Sequence, residues 1–138
     1  MTRLAISPVG LANARAWLMA ALMAVGSSSG WAMSWTRLVE TNTMTFYVNR
    51  NAIEKEGSIR RIWEMQDLKA ADPEGVMSRR YLNEYDCQEK MHRIGQMVSF
   101  SGPKLSGKPL FSVTEWGYWR KIPPDGVFVV SYVMLCVE

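Results

Sequence analysis

Scarcity says more about this 138-residue chain than any motif does: it has two cysteines, one histidine and little net charge. Two cysteines and one histidine cannot close a four-ligand zinc site, so no metal is expected. There is no Cys-x-x-Cys for thiol redox chemistry, no Gly-x-Ser-x-Gly nucleophile turn and no glycine loop of the kind that cradles phosphates. No cofactor is therefore expected. There are no internal repeats and no long low-complexity segment. The apolar run over residues 16–25 is about half the roughly 20 residues needed to cross a hydrocarbon core.

That short run fits a secretory signal peptide. Arg3 and Arg15 supply a positive leading region, the apolar run follows, and Gly26-Ser27-Ser28-Ser29 is polar. Gly30-Trp31-Ala32 then places small residues at the −3 and −1 positions of a cleavage site before Met33. Residues 1–32 are read as this signal and residues 33–138 as a single mature domain of 106 residues, within the usual domain range. No cysteine follows the apolar run to accept a lipid, and no transmembrane segment is expected after cleavage.

Removing the signal leaves 14 basic against 13 acidic residues, so the net charge falls from +3 to +1. A nearly neutral domain is a poor nucleic-acid binder. Both cysteines, Cys87 and Cys136, stay in the exported part. In an oxidising compartment the simplest arrangement is one intramolecular disulfide.

The mature chain reads mainly as short strands. Residues 44–49 are aromatic and β-branched and end in a polar turn at Arg50-Asn51. Residues 53–58 form a short segment closed by Gly57-Ser58. From Arg61 the chain alternates. Arg61, Trp63, Met65 and Asp67 share one face, with Trp63 and Met65 as the expected core pair, and Ile62, Glu64, Gln66 and Leu68 share the other. Residues 69–76 are a loop by composition. Residues 77–87 form a strand with Tyr81, Asn83, Tyr85 and Cys87 on one face, and residues 91–100 pair back on it. Residues 101–109 are an exposed, weakly basic loop, and Pro123-Pro124-Asp125-Gly126 is a breaker. The apolar tail, residues 127–137, has the β-branched content of a strand, yet Asp125 can also serve as the N-cap of a helix running to Cys136.

Candidate chemistry is thin. His92, beside Lys90 and Arg93, reads as a surface or hairpin residue. Glu54/Glu56 and Glu84/Asp86 each present two carboxylates on one face at strand spacing and read as solvated faces. No catalytic residue is assigned. Trp35, Trp63, Trp116 and Trp119, with Tyr81, Tyr85, Tyr118 and Tyr132, are read mostly as core. Combined with arginines they are also the residue types enriched at binding hot spots. Arg60-Arg61 and Arg79-Arg80 each place one guanidinium on each face of a strand.

The order and spacing of several segments resemble the surface-adhesin protein E family of Gram-negative bacteria. These are Trp35; Phe46-Tyr47-Val48-Asn49 with Ile53 and Gly57; Ile62-Trp63 with Asp67; Ser78-Arg79 with Tyr85-Asp86-Cys87 and Arg93; and Trp119, Ile122-Pro123-Pro124 and Cys136. The resemblance spans residues 35–136. It departs from the family at Asn49, where an Asp is usual, in the valine-rich last segment, and in lacking a lipid-attachment cysteine.

The resemblance implies an α+β fold: a small antiparallel sheet with a C-terminal helix tied on by the Cys87–Cys136 disulfide. It also implies a dimer at the outer envelope that binds host matrix and serum proteins such as vitronectin, laminin and plasminogen. The expected function is that of an exported, non-enzymatic, protein-binding domain, with Arg79, Arg80, Lys104 and Lys108 steering acidic partners. The alternative is a periplasmic accessory domain that mainly self-associates through its sheet edges.

Overall fold

A computed structural model of the protein describes residues 33–137. The expected signal peptide, residues 1–32, lies outside the described residues. Thr36–Glu40 (β1) and Met44–Val48 (β2) form a hairpin, followed by a 3-10 turn over Arg50–Ala52 and the short strand Glu54–Glu56 (β3). Three long strands come next: Ile59–Leu68 (β4), Ser78–Asp86 (β5) and Met91–Phe100 (β6). A second 3-10 turn over Pro103–Leu105 leads to Pro109–Val113 (β7), Arg120–Lys121 (β8) and the helix Val127–Cys136 (α1).

All pairings are antiparallel, in the order β1-β2-β4-β5-β6-β7. β3 continues beyond β2 along β4, and β8 pairs with β6 beside the end that β7 leaves free. This confirms the small antiparallel sheet with a C-terminal helix. β2 ends at Val48, one residue short of the expected segment, and Asn49 caps the 3-10 turn that follows. Its side chain accepts from the Asn51 N–H at 3.2 Å, which satisfies one donor of the turn.

The helix lies on one face of the sheet. Phe46, Val48, Ile62 and Tyr85 from the strands meet Val127 and Leu135 from α1 in a buried cluster. The core therefore forms on the Ile62 side of β4. The expected Trp63–Met65 core pair faces the other way, where Met65 is buried and Trp63 half-buried. Strand alternation was read correctly, but it cannot say which face receives the helix.

The tail is the helix, although its valines favour a strand. Burial of Val127, Ser131 and Leu135 at four-residue spacing overrides the weak propensity. Its N-cap is Gly126, at φ 106°, rather than Asp125. That left-handed geometry suits glycine, which has no Cβ to clash. The disulfide joins Cys87, just past β5, to Cys136, with sulfurs 2.01 Å apart and a sequence separation of 49. Among the described residues no helix is long and apolar enough to cross a membrane.

Candidate functional site

The two faces of the sheet have different chemistry. Under the helix, Tyr81, Asn83 and Tyr85 project from β5, as their alternation predicts, and all are fully buried. They meet Glu64, which is also fully buried. Asn83 Nδ2 donates to Glu64 Oε1 at 2.9 Å; Tyr85 Oη and Ser131 Oγ donate to Oε2 at 2.6 and 2.8 Å. Burial raises the carboxyl pKa of Glu64, and these hydrogen bonds only partly offset that. Burial, reinforced by the Glu64 charge, also pushes the Tyr81 and Tyr85 hydroxyls well above the ordinary tyrosine range.

His92 belongs to this interior and is not a surface residue. It is stacked on Tyr85 and tilted against Phe128, with ring centroids 5.7 and 4.6 Å away. Its Nδ1 lies 3.1 Å from Asn83 Oδ1. Because that oxygen accepts, Nδ1 carries the proton. Burial, with a smaller contribution from Arg120, lowers its pKa to about 4. The network is missed by the sequence reading, which places Glu64 on the face away from the core. Its signal was Ser131, a small hydroxyl in an otherwise apolar tail, at the position where Glu64 needs a donor.

The opposite face is not covered by α1, although the loop with the Pro103–Leu105 turn packs on one end of it, where Lys104 N–H donates to Asp67 Oδ1 and Leu105 N–H to Ser78 Oγ, both at 2.8 Å. Glu84, expected to be solvated, is buried on this face between two arginines. Arg61 Nε and Arg93 Nε each donate to one of its oxygens at 2.6 Å. Glu56 and Glu54 engage the far end of Arg61 at 2.8 and 3.6 Å, which keeps the guanidinium charged. Asp86 shares this face and accepts from Ser58 and from the backbone of Gln88 and Glu89. The sheet thus separates His92 from Glu84 and Asp86, so these three residues do not assemble into a catalytic group.

Aromatic rings flank the arginines. Arg80 lies over Trp63 at 5.4 Å, and Arg93 lies between Trp116 and Trp119, at 4.9 and 4.6 Å from their centroids. Trp116 reaches this position because β6 carries Gly95 there. A Cβ at that glycine would come within 2.9 Å of the indole. Beside Trp116 a cavity of about 490 Å³ opens at the β6 edge, lined mainly by Ile94, Met97, Val113, Tyr118 and Phe128. Gly117 N–H donates to the Ile94 carbonyl at 2.8 Å and holds this connection against the strand.

The expected partner-steering residues are spread over the molecule. Arg79 and Arg80 point to opposite faces, as their adjacency requires. Arg79 is engaged internally, donating to Asp72 at 3.1 Å and to Gln66 at 3.0 Å. Lys104 and Lys108 lie exposed in the loop after β6. Lys104 sits 5.9 Å from the Tyr47 ring, and its backbone N–H donates to Asp67. The structure brings together no patch made of all four. Arg93 with its two tryptophans was not singled out as a site, because Trp116 and Trp119 are distant from it in sequence.

A helix tied by one disulfide to a single face of an antiparallel sheet, with arginine–tryptophan groups on the other, defines a small α+β domain. The chain belongs to the Surface-adhesin protein E family, whose model matches residues 35–137. Its fold is similar to that of Haemophilus influenzae protein E. Crystal form II of that protein is 13% identical at a TM-score of 0.55, covering 79% of this chain and 91% of that one. A second structure is 14% identical at 0.53, covering 80% and 89%. Protein E from a non-typeable H. influenzae is 15% identical at 0.52, covering 80% of each chain. No curated relative matches the sequence.

Proposed function

We propose that this chain is an exported, non-enzymatic adhesin-like domain that binds extracellular matrix or serum proteins through the helix-free face of its sheet. The observation that carries this reading is the pair of Trp–Arg groups on the sheet face that α1 leaves uncovered, with Trp119 36% exposed. Trp, Tyr and Arg dominate binding hot spots because a large rigid surface and a planar donor fork lose little entropy on association. Family membership supports a place at the cell surface. Export rests on the signal-like residues 1–32, and the start of the family match at residue 35 is in keeping with it. The test is capture of purified matrix and serum proteins on the immobilised domain at low and high salt. Retention that weakens with salt supports the reading; no retention at either salt overturns it.

A second reading is self-association. At the outer strand β7, Phe111 and Val113 are 48% and 53% exposed, and no charged residue guards the strand. β1, at the other edge, carries a bulge and the Arg37–Glu40 pair. Apolar edges without charge promote pairing between copies, here restrained at one end only by Pro109. Light scattering over a concentration series tests this, and a monomer throughout rules it out.

A further inference from the structure

Arg93 is held in an unusual state. Two indole rings pack on its guanidinium, with centroids 4.9 and 4.6 Å from Cζ, and Glu84 anchors its Nε edge at 2.6 Å. Among the described residues nothing accepts from Nη1 or Nη2, and the side chain is 29% exposed. Fixing a flexible arginine costs side-chain entropy. Here the fold has already met that cost, so the free edge is a preorganised fork with the geometry to grip a carboxylate through two parallel hydrogen bonds. Lys121, which pairs with Met91 two residues before Arg93, adds a second cation beside it. Trp116 serves twice: it forms one jaw on Arg93 and lines the apolar cavity of about 490 Å³.

We propose that this clamp is the anchor point for a protein partner, taking an Asp or Glu side chain on the Arg93 fork and a neighbouring bulky apolar side chain against the exposed Trp119 ring. This inference rests on the protein-binding reading above and names the site and the partner chemistry for it. The observations favour an isolated carboxylate with an apolar neighbour over a polyanion such as a sulfated glycan. A polyanion needs a run of cations, whereas the mature part is nearly neutral and Glu84 and Glu115 lie close to the clamp in structure or sequence. The surroundings are instead apolar and aromatic, with Tyr118 88% and Trp119 36% exposed.

The test is a fluorescence titration of the intact mature domain, reading its tryptophans, with a blocked peptide carrying Leu-Asp-Phe. A Leu-Asn-Phe peptide and a heparin oligosaccharide are run beside it. The expected result is saturable binding of the Asp peptide, weakened about tenfold or more by the Asn peptide, by Arg93→Lys and by Trp119→Leu. Arg93→Lys keeps the charge beside Glu84 but loses the fork. Trp119→Leu leaves the Arg93–Glu84 pair intact and changes a surface side chain, so it reports on the clamp even if the arginine variant folds poorly. Lys55→Gln, an exposed change on β3 away from the clamp, is expected to bind like the parent. Equal binding of both peptides, no binding, insensitivity to Arg93→Lys and Trp119→Leu, or preference for the oligosaccharide would each overturn the clamp. If the parent still captures matrix or serum proteins in that event, the protein-binding reading stands and only its site is wrong.

Discussion

Glu64 and His92 are both buried without a countercharge, and they titrate in opposite senses. His92 in the folded protein has a pKa of about 4, below the 6.5 of a free imidazole. Between those values the unfolded chain binds a proton that the folded chain refuses. Stability therefore falls as pH drops from about 6.5 towards 4, by up to about 3 kcal/mol. Glu64 has a raised value, so the folded form keeps a proton that the unfolded form has shed. Its contribution is present below about 4.5 and is lost as pH rises through the folded value. Thermal unfolding across pH is expected to show both limbs. Glu64→Gln, which keeps a neutral group of the same shape among Asn83, Tyr85 and Ser131, is expected to flatten the alkaline limb and spare the acid one. An alkaline limb unchanged in this variant would mean that another group carries it.

At the scale of elements, α1 is held by its apolar contacts, one buried side-chain hydrogen bond and the disulfide. Ser131→Ala removes a donor to Glu64 and is expected to cost about 1–3 kcal/mol in chemical denaturation, because the acceptor stays buried. Cys87→Ser opens a cross-link of sequence separation 49, worth roughly 4 kcal/mol in the chain-entropy model. Thiol titration is expected to find no free thiol in the parent and one, Cys136, in the variant. β6 depends on one residue in a different way. Gln96 at φ 51° forms a bulge, so Gln96 and Met97 together oppose Tyr81, and the register shifts between Arg80 and Leu82. Strand periodicity located β6 at its true ends but is blind to such an extra residue. After the bulge Met97 faces the helix side and Val98 the open side.

For the whole molecule, the division into a covered face and an open face sets what can be bound. The helix spans only part of its side of the sheet, leaving the β6–β7 region as the cavity beside Trp116. The other face carries the arginine–tryptophan groups. If binding uses that face, reduction of the disulfide is expected to destabilise the domain yet leave the affinity of the still-folded fraction within about twofold, because the Arg93 clamp touches neither Cys87 nor Cys136. Surface plasmon resonance below the unfolding temperature of the reduced protein checks this. A proportionate loss of affinity would place the partner on the helix instead.

Much of this architecture was legible in one dimension. Alternation from Arg61, the hairpin of residues 77–87 with 91–100 and the polar turn after Val48 are local patterns, and backbone geometry converts them directly into strands. The two cysteines in an exported chain also determined their own pairing, since each had one available partner. Tertiary structure decided the rest, and in each case the reason is contact between distant residues. The apolar tail had no periodicity of its own, so burial against Phe46, Val48, Ile62 and Tyr85 made it a helix. The face that helix chose turned Glu64 and His92 into interior groups and left Trp63 outside. Only folding brought Trp116 and Trp119 onto Arg93, because β8 returns to the edge of β6 beside it.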